Sequence, residues 1–166
     1  MARYRRFEGA RSGTLASAPE LADVRLRRAG LKTALSGLEL ALAAPGRTFE
    51  WSANVREALQ ILHEVWTRHI VETEAPGAFL DELVSESPRL ATPASRLRRE
   101  HSEILARIVR AEKKLMIVPI DDESIDNQVE ELRVELTEVL VALARHRQRG
   151  ADLVYEAYQV DIGGGS

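Results

Sequence analysis

Apolar residues in the last third of the chain recur at alternating steps of three and four. This spacing places them on one face of a helix of about eight turns. Because a lone helix is only marginally stable in water, other helices must cover this face. Two positions on the face are not aliphatic: His146, and Gly150, which predicts the close approach of a neighbouring helix or loop. The aliphatic positions are Val129, Leu132, Leu136, Val139, Leu143, Leu153 and Ala157.

Three earlier stretches show the same periodicity and carry helix-boundary signals. They predict helices that begin at a capping box, at a capping serine and at a threonine followed by proline, and that end before proline or glycine. Residues 78–85 predict a short additional helical turn. The boundary residues are Ser17–Glu20 and Ala43 for the first helix, Ser52 and Pro76 for the second, and Thr92 and Pro119 for the third.

Four amphipathic helices joined by short connections predict an all-α fold, an up-down-up-down four-helix bundle. We predict this bundle over residues 19–160. Residues 1–18 carry four arginines and one glutamate, which indicates a flexible basic N-terminal arm. Residues 161–166 include three glycines and predict a flexible tail.

The composition excludes several kinds of site and partner. The chain has no cysteine, so disulfides, thiolate metal sites and cysteine nucleophiles are excluded. It lacks an apolar run that could cross a membrane or serve as a signal peptide, which indicates a cytoplasmic protein. Its net charge is −3, and it has no basic stripe interleaved with aromatic residues, so nucleic-acid binding is not predicted. A homo-oligomer, or a protein partner bound through the arm or the tail, is compatible with this composition.

Three histidines and one arginine are predicted to share one layer of the bundle. In a helical hairpin, residues equidistant from the centre of the connecting loop lie at the same height. This rule brings Arg28, His69, His101 and His146, each from a different helix and each on its buried stripe, to about the same height. His63 falls beside its stripe and is interpreted as a flanking residue. Burying three imidazoles that bind nothing would carry the free-energy cost of desolvation three times, so the layer indicates a binding site.

Imidazole is a common ligand of iron, zinc and copper, and helical bundles build metal sites from inward-facing side chains. Arg28 opposes this interpretation, because a permanent cation repels a metal ion unless a carboxylate neutralises it. The residues alone therefore leave both a metal site and a metal-free polar layer open.

Short motifs along the four predicted helices are Leu31-Lys32, Leu35, Leu38-Glu39, Leu42, Trp66, His69, Glu74, Pro88-Arg89-Leu90, Leu97, Glu100-His101, Ile104, His146, Asp152-Leu153 and Glu156. Together they resemble a bacterial hemerythrin-like domain over roughly residues 20–160. The excess of arginine over lysine is typical of a GC-rich bacterial genome. Members of that family are four-helix bundles that commonly hold a di-iron centre. Their ligands are a histidine on the first helix, His-x3-Glu on the second, His-x3-His on the third and His-x4-Asp on the fourth.

The resemblance carries over to this chain for three of the five histidine ligands. His69, His101 and His146 match ligand positions on the second, third and fourth helices. The family's first-helix histidine falls at Arg28, and its second histidine on the third helix falls at Leu105.

Both carboxylate ligands of the family are displaced in this chain. The glutamate position on the second helix is Thr73, flanked by Glu72 and Glu74, and the aspartate position on the fourth helix is Ala151, followed by Asp152. A complete di-iron centre is therefore not predicted.

The interpretation that we favour from sequence is a metal-free or weakly metal-binding hemerythrin-like protein, related by descent to oxygen or iron binding or sensing. In this interpretation Arg28 replaces the lost cation and pairs with Glu72 or Glu74. A buried arginine and the loss of ligands both favour the metal-free interpretation.

Three alternatives remain. In one, His69, His101 and His146, together with one of those two glutamates, bind a single iron or zinc ion. In another, the chain is a non-catalytic helical interaction module. In the third, the histidines perform acid–base catalysis, but no nucleophile or phosphate-binding loop accompanies them, so no catalytic residue is predicted.

Overall fold

The computed structural model describes residues 18–45, 49–117 and 125–163 of the 166-residue chain, and the side chains of residues 29–45, 50–117 and 127–157. As the periodicity predicts, these residues are almost entirely helical, with no strand among them. In chain order the elements are α1 (Ala18–Ala43), α2 (Phe49–Glu74), α3 (Phe79–Glu86), a 3₁₀ turn (Pro88–Leu90), α4 (Ala91–Ile117) and α5 (Ile125–Gly163). The predicted all-α class is confirmed.

The four long helices pack into a helical bundle. α1 lies against α2, α2 against α4, and α4 against α5, while α5 also contacts α1. Their aliphatic stripes meet in the interior, because removing apolar surface from water is the main driving force of folding. Leu38, Leu62, Ile108 and Leu136 are each 0% exposed in this main core.

A smaller apolar cluster lies outside the main core, where α3 and the 3₁₀ turn pack against α4 and α5. α3 runs over residues 79–86 and confirms the helical turn that was predicted at residues 78–85. Gly77 has a φ of 74°, a left-handed conformation that favours glycine and turns the chain between α2 and α3. We call this group the end cluster; its buried residues are Leu80, Leu83, Leu90, Ala94, Leu97 and Leu153.

The stripe that the sequence predicts on the last helix is buried in α5. Its aliphatic members from Val129 to Leu143, and Leu153, are at most 4% exposed, while Ala157 is partly buried against the end cluster. The corresponding part of α1 that includes Arg28 lies outside the described side chains.

The predicted start of the second helix is wrong, because a cap at Ser52 would place the first helical residue four positions after the observed one. α2 begins at Phe49, so Ser52 lies inside the helix and does not cap it. The reason is Trp51, which is only 3% exposed and carries the guanidinium of Arg133 over its ring, 4.6 Å from the centroid. Burying this large ring as part of α2 outweighs the local capping signal.

The predicted cap of the third long helix is also displaced. α4 begins at Ala91, directly after the 3₁₀ turn, so Thr92 and Pro93 lie in its first helical turn. Proline is tolerated there because the first backbone N–H groups of a helix have no helical acceptor. Leu90 of the preceding turn is fully buried in the end cluster, which fixes where α4 begins.

Two features of α5 differ from what the sequence predicts. A Cβ added at Gly150 would meet nothing within 4 Å, so the predicted close approach of a neighbour is wrong. α5 continues to Gly163, whereas the sequence predicts a flexible tail from residue 161.

Among the described residues, none of the helices has the length and apolar character that a membrane span requires.

Candidate metal centre

Three histidines from three helices meet in the interior of the bundle. α2 provides His69, α4 provides His101 and α5 provides His146, with ring centroids 5.1 Å apart for the first pair, 5.6 Å for His69 and His146, and 4.6 Å for His101 and His146. His101 is 2% exposed and His146 is 4% exposed, while His69 is half-buried. The predicted layer is therefore confirmed for the three histidines. The side chain of Arg28, its predicted fourth member, is outside the described set.

Trp66 forms an apolar wall against all three imidazoles. It lies one turn before His69 on α2 and stacks on that ring at a centroid distance of 5.0 Å. It packs edge-to-face with the rings of His101 and His146, whose centroids lie 5.4 Å and 5.1 Å from its own. The indole Nε1 donates a hydrogen bond to the backbone carbonyl of His101 at 3.3 Å. Because Trp66 is 0% exposed, this side of the layer is closed to water.

A carboxylate contacts the outer nitrogen of His101. The acceptor is Glu74, the last residue of α2, whose Oε1 accepts a hydrogen bond from Nδ1 of His101. A carboxylate offers only acceptor atoms, so the proton of this bond is on the imidazole. The Nδ1 atom of His101 is therefore protonated.

A second carboxylate contacts the outer nitrogen of His146 in the same way. Oε2 of Glu100 accepts a hydrogen bond from Nδ1 of His146 at 3.2 Å. The other oxygen of Glu100 accepts from Nη1 of Arg149 at 2.6 Å. The Glu100 side chain is only 13% exposed, so its contact with His146 is partly shielded from water, whereas Arg149 is 44% exposed.

The two inner nitrogens face one another. Nε2 of His101 and Nε2 of His146 are 3.1 Å apart. Since both Nδ1 atoms donate to carboxylates, two neutral imidazoles would direct lone pairs at each other across this gap. Such an arrangement is repulsive unless a cation or a shared proton occupies the space between the nitrogens.

His69 presents the third nitrogen. Its Nε2 atom is buried and has no hydrogen-bond partner, which is costly for a polar atom. One ligand atom from each histidine lies within 4.8 Å of the other two, and the three together form a group that could hold a metal ion. Glu72 and Glu74, which the sequence offered as ligands, are not in this group, and Glu74 instead contacts the far side of His101.

The surroundings of the three imidazoles favour their neutral form. Burial, reinforced by the nearby His101, lowers the pKa of His69 from 6.5 to about 4. Burial, then His101, His69 and Arg149, lower the pKa of His146 from 6.5 to about 3. Burial also lowers the pKa of His101, although Glu74 acts in the opposite direction. Neutral imidazole is the form that binds metal ions.

Sequence reasoning did not assign a role to Glu100 or Arg149. Arg149 lies three residues after His146 and therefore near it on one helix face, which is a signal that the sequence contained. Glu100 precedes His101 but serves the histidine of the next helix, a pairing that becomes visible only once α4 and α5 are packed. His63 lies apart from the layer and pairs with Glu112, Nδ1 to Oε1 at 2.9 Å, as its flanking position suggests.

Comparison of the chain with models of protein families, with curated proteins and with solved structures found no match. The geometry of the three histidines and their carboxylates is therefore the basis for a functional conclusion.

Proposed function

We propose that this chain is an up-down-up-down four-helix bundle that binds one divalent transition-metal ion through His69, His101 and His146. The carrying observation is the 3.1 Å distance between the Nε2 atoms of His101 and His146. A metal ion converts two opposed lone pairs from a repulsive pair into two ligands. Two nitrogens bound to one tetrahedral zinc ion at about 2.0–2.1 Å lie about 3.3–3.4 Å apart, which is within a few tenths of an ångström of this distance.

A shared proton would also relieve the repulsion between the two nitrogens. It would not explain the third imidazole, because Nε2 of His69 would remain buried without a partner. A metal ion uses all three nitrogens at once. The orphaned Nε2 of His69 therefore favours the metal over the shared proton.

The donor set restricts the class of metal. Three neutral imidazoles suit zinc, iron, nickel or copper, whereas magnesium and calcium prefer oxygen ligands. Three protein ligands also leave a coordination position for water or a small exogenous ligand, which is typical of reactive rather than purely structural sites.

The resemblance to hemerythrin-like domains makes iron a natural first metal to test, and with it a role in iron or oxygen binding or sensing. The proposal does not include a second iron, because Thr73, Leu105 and Ala151 stand at three of that family's ligand positions. It differs from the metal-free interpretation that we favoured from sequence, in which Arg28 supplies the positive charge.

Metal analysis of untagged protein tests the proposal. Wild type, His146→Ala and His63→Ala are reconstituted anaerobically with Fe(II) and separately with Zn(II), dialysed, and analysed for metal and protein. We expect one ion per chain in the wild type and in His63→Ala, because His63 lies outside the layer, and none in His146→Ala.

A wild type without bound iron or zinc, or a His146→Ala variant that retains a full ion, would contradict the proposal. The metal-free alternative predicts that the wild type binds neither ion and that Arg28→His gains affinity by restoring an imidazole and removing a repelling cation. The same measurement on Arg28→His therefore separates the two interpretations.

A further inference from the structure

Two carboxylates hold the outer nitrogens of two of the three histidines. We propose that Glu74 and Glu100 are positioning residues that fix His101 and His146 in the tautomer whose Nε2 lone pair faces the metal. This inference rests on the proposed three-histidine site and deepens it, because it names the groups that decide how tightly the site binds.

The first step concerns which nitrogen is free to bind. A neutral imidazole carries its proton on one of two nitrogens, and only the other can coordinate a metal ion. In His101 the acceptor Glu74 lies at Nδ1, so Nε2 is left with its lone pair directed at His146. Without the carboxylate, the proton could move to Nε2 and block that ligand.

Glu100 fixes the tautomer of His146 in the same way, and Arg149 holds Glu100 in place. It contacts Nδ1 of His146 through one oxygen and Arg149 through the other, at 3.2 Å and 2.6 Å. Arg149 lies one turn after His146 on α5. The proposed ligand His146 and the guanidinium that anchors Glu100 therefore belong to the same helix. Arg149 thus anchors the carboxylate that positions His146.

The carboxylates also supply charge. A divalent ion with three neutral ligands keeps its full charge of two, and two nearby carboxylates offset that charge without occupying coordination positions. Partners of this kind also raise the basicity of the imidazole that they contact, and their loss typically weakens metal binding about 10-fold to 100-fold. We expect losses in this range for Glu74→Ala and Glu100→Ala, and a loss of only a few-fold for Arg149→Gln.

The experiment combines zinc affinity with the tautomer of each histidine. Competition with a chromophoric chelator gives the Kd for zinc in the wild type and in the three variants. Long-range ¹H–¹⁵N NMR of the metal-free proteins reports which imidazole nitrogen carries the proton, a property that a merely structural role would not change. Matched controls are Glu64→Ala on α2 and Glu103→Ala on α4, both at exposed positions.

We expect protonated Nδ1 at His101 and His146 in the wild type, and a shift toward protonated Nε2 at His101 in Glu74→Ala and at His146 in Glu100→Ala, because alanine has no side-chain acceptor for Nδ1–H. Arg149→Gln changes an exposed residue and keeps the proposal testable if a glutamate variant fails to fold. Normal zinc affinity in both glutamate variants, or weaker binding without a change of tautomer, would overturn the proposal. A wild type that binds no zinc would instead overturn the metal site itself, so the two failures are distinguishable.

Discussion

The main core and the histidine layer belong to one bundle but are held together in different ways. Leu59, Leu62 and Leu136 are each 0% exposed. They stabilise the fold by removing apolar surface from water, and this effect does not depend on the direction from which a neighbouring apolar group packs. His101 and His146 are nearly as buried, yet each of their nitrogens needs a particular partner at a particular angle.

This difference separates stability from function. In the main core, a change of volume matters and the identity of an aliphatic side chain matters less. In the histidine layer, a change of partner leaves a buried polar atom unsatisfied. The histidine layer is therefore where a ligand that satisfies the buried nitrogens would have its largest effect.

Acidification should destabilise the metal-free protein through the histidine layer. His69 and His146 have folded pKa values of about 4 and about 3, below their ordinary value of 6.5. Between pH 6.5 and 4 the unfolded chain therefore binds protons that the folded chain does not, and stability falls as the pH falls. Each such histidine contributes up to about 1.4 kcal/mol per pH unit. Urea unfolding of chelator-treated protein at several pH values measures this slope, and a free energy of unfolding that is constant over this range would contradict it.

Leu136→Ala should destabilise the protein by about 2–5 kcal/mol, because it removes a fully buried side chain and leaves a cavity. Metal stoichiometry should be unchanged, since residue 136 is about 15 Å along α5 from His146. Urea unfolding and metal analysis of the same preparation test both statements. Loss of metal by the folded variant would show that the main core and the histidine layer are coupled.

His146→Leu should have the opposite effect on stability in the metal-free protein. Leucine of similar size removes the opposed Nε2 contact, while Glu100 keeps its bond to Arg149. We expect a gain of about 1 kcal/mol at pH 7, a shallower pH dependence by one proton, and complete loss of metal binding. A loss of stability comparable to that of Leu136→Ala would mean that the imidazole stabilises the metal-free fold.

Gly150→Ala should raise stability by about 0.5–1 kcal/mol, the smallest effect in this series. The added methyl group meets no neighbour within 4 Å, and alanine is the better helix former. Thermal unfolding of this variant against wild type measures the difference. A lower Tm would contradict this expectation and would support the sequence-based prediction that a neighbouring helix or loop lies close to Gly150.

The sequence predicted the fold class and the meeting of three histidines, because both follow from periodicity and loop position. It misplaced the start of α2, since a capping signal at Ser52 is local whereas the burial of Trp51 depends on the other helices. It interpreted Gly150 as a packing position because a stripe shows which face is buried but not how near the next helix lies. It assigned Glu74 as a ligand candidate, and the structure instead brings its oxygen to the outer nitrogen of His101.

By itself, the amino-acid sequence determined the long amphipathic helices, the absence of thiol chemistry, and one inward-facing histidine on each of three helices. These properties depend on residue type and on spacing within a helix, which local physics fixes. Only the tertiary structure decided that Glu100 serves His146, that Glu74 serves His101, and that two Nε2 atoms face each other at 3.1 Å. Hydrogen bonds between helices depend on angles and on separations of a few tenths of an ångström, and these arise only when the packed helices set the rotation and height of each neighbour.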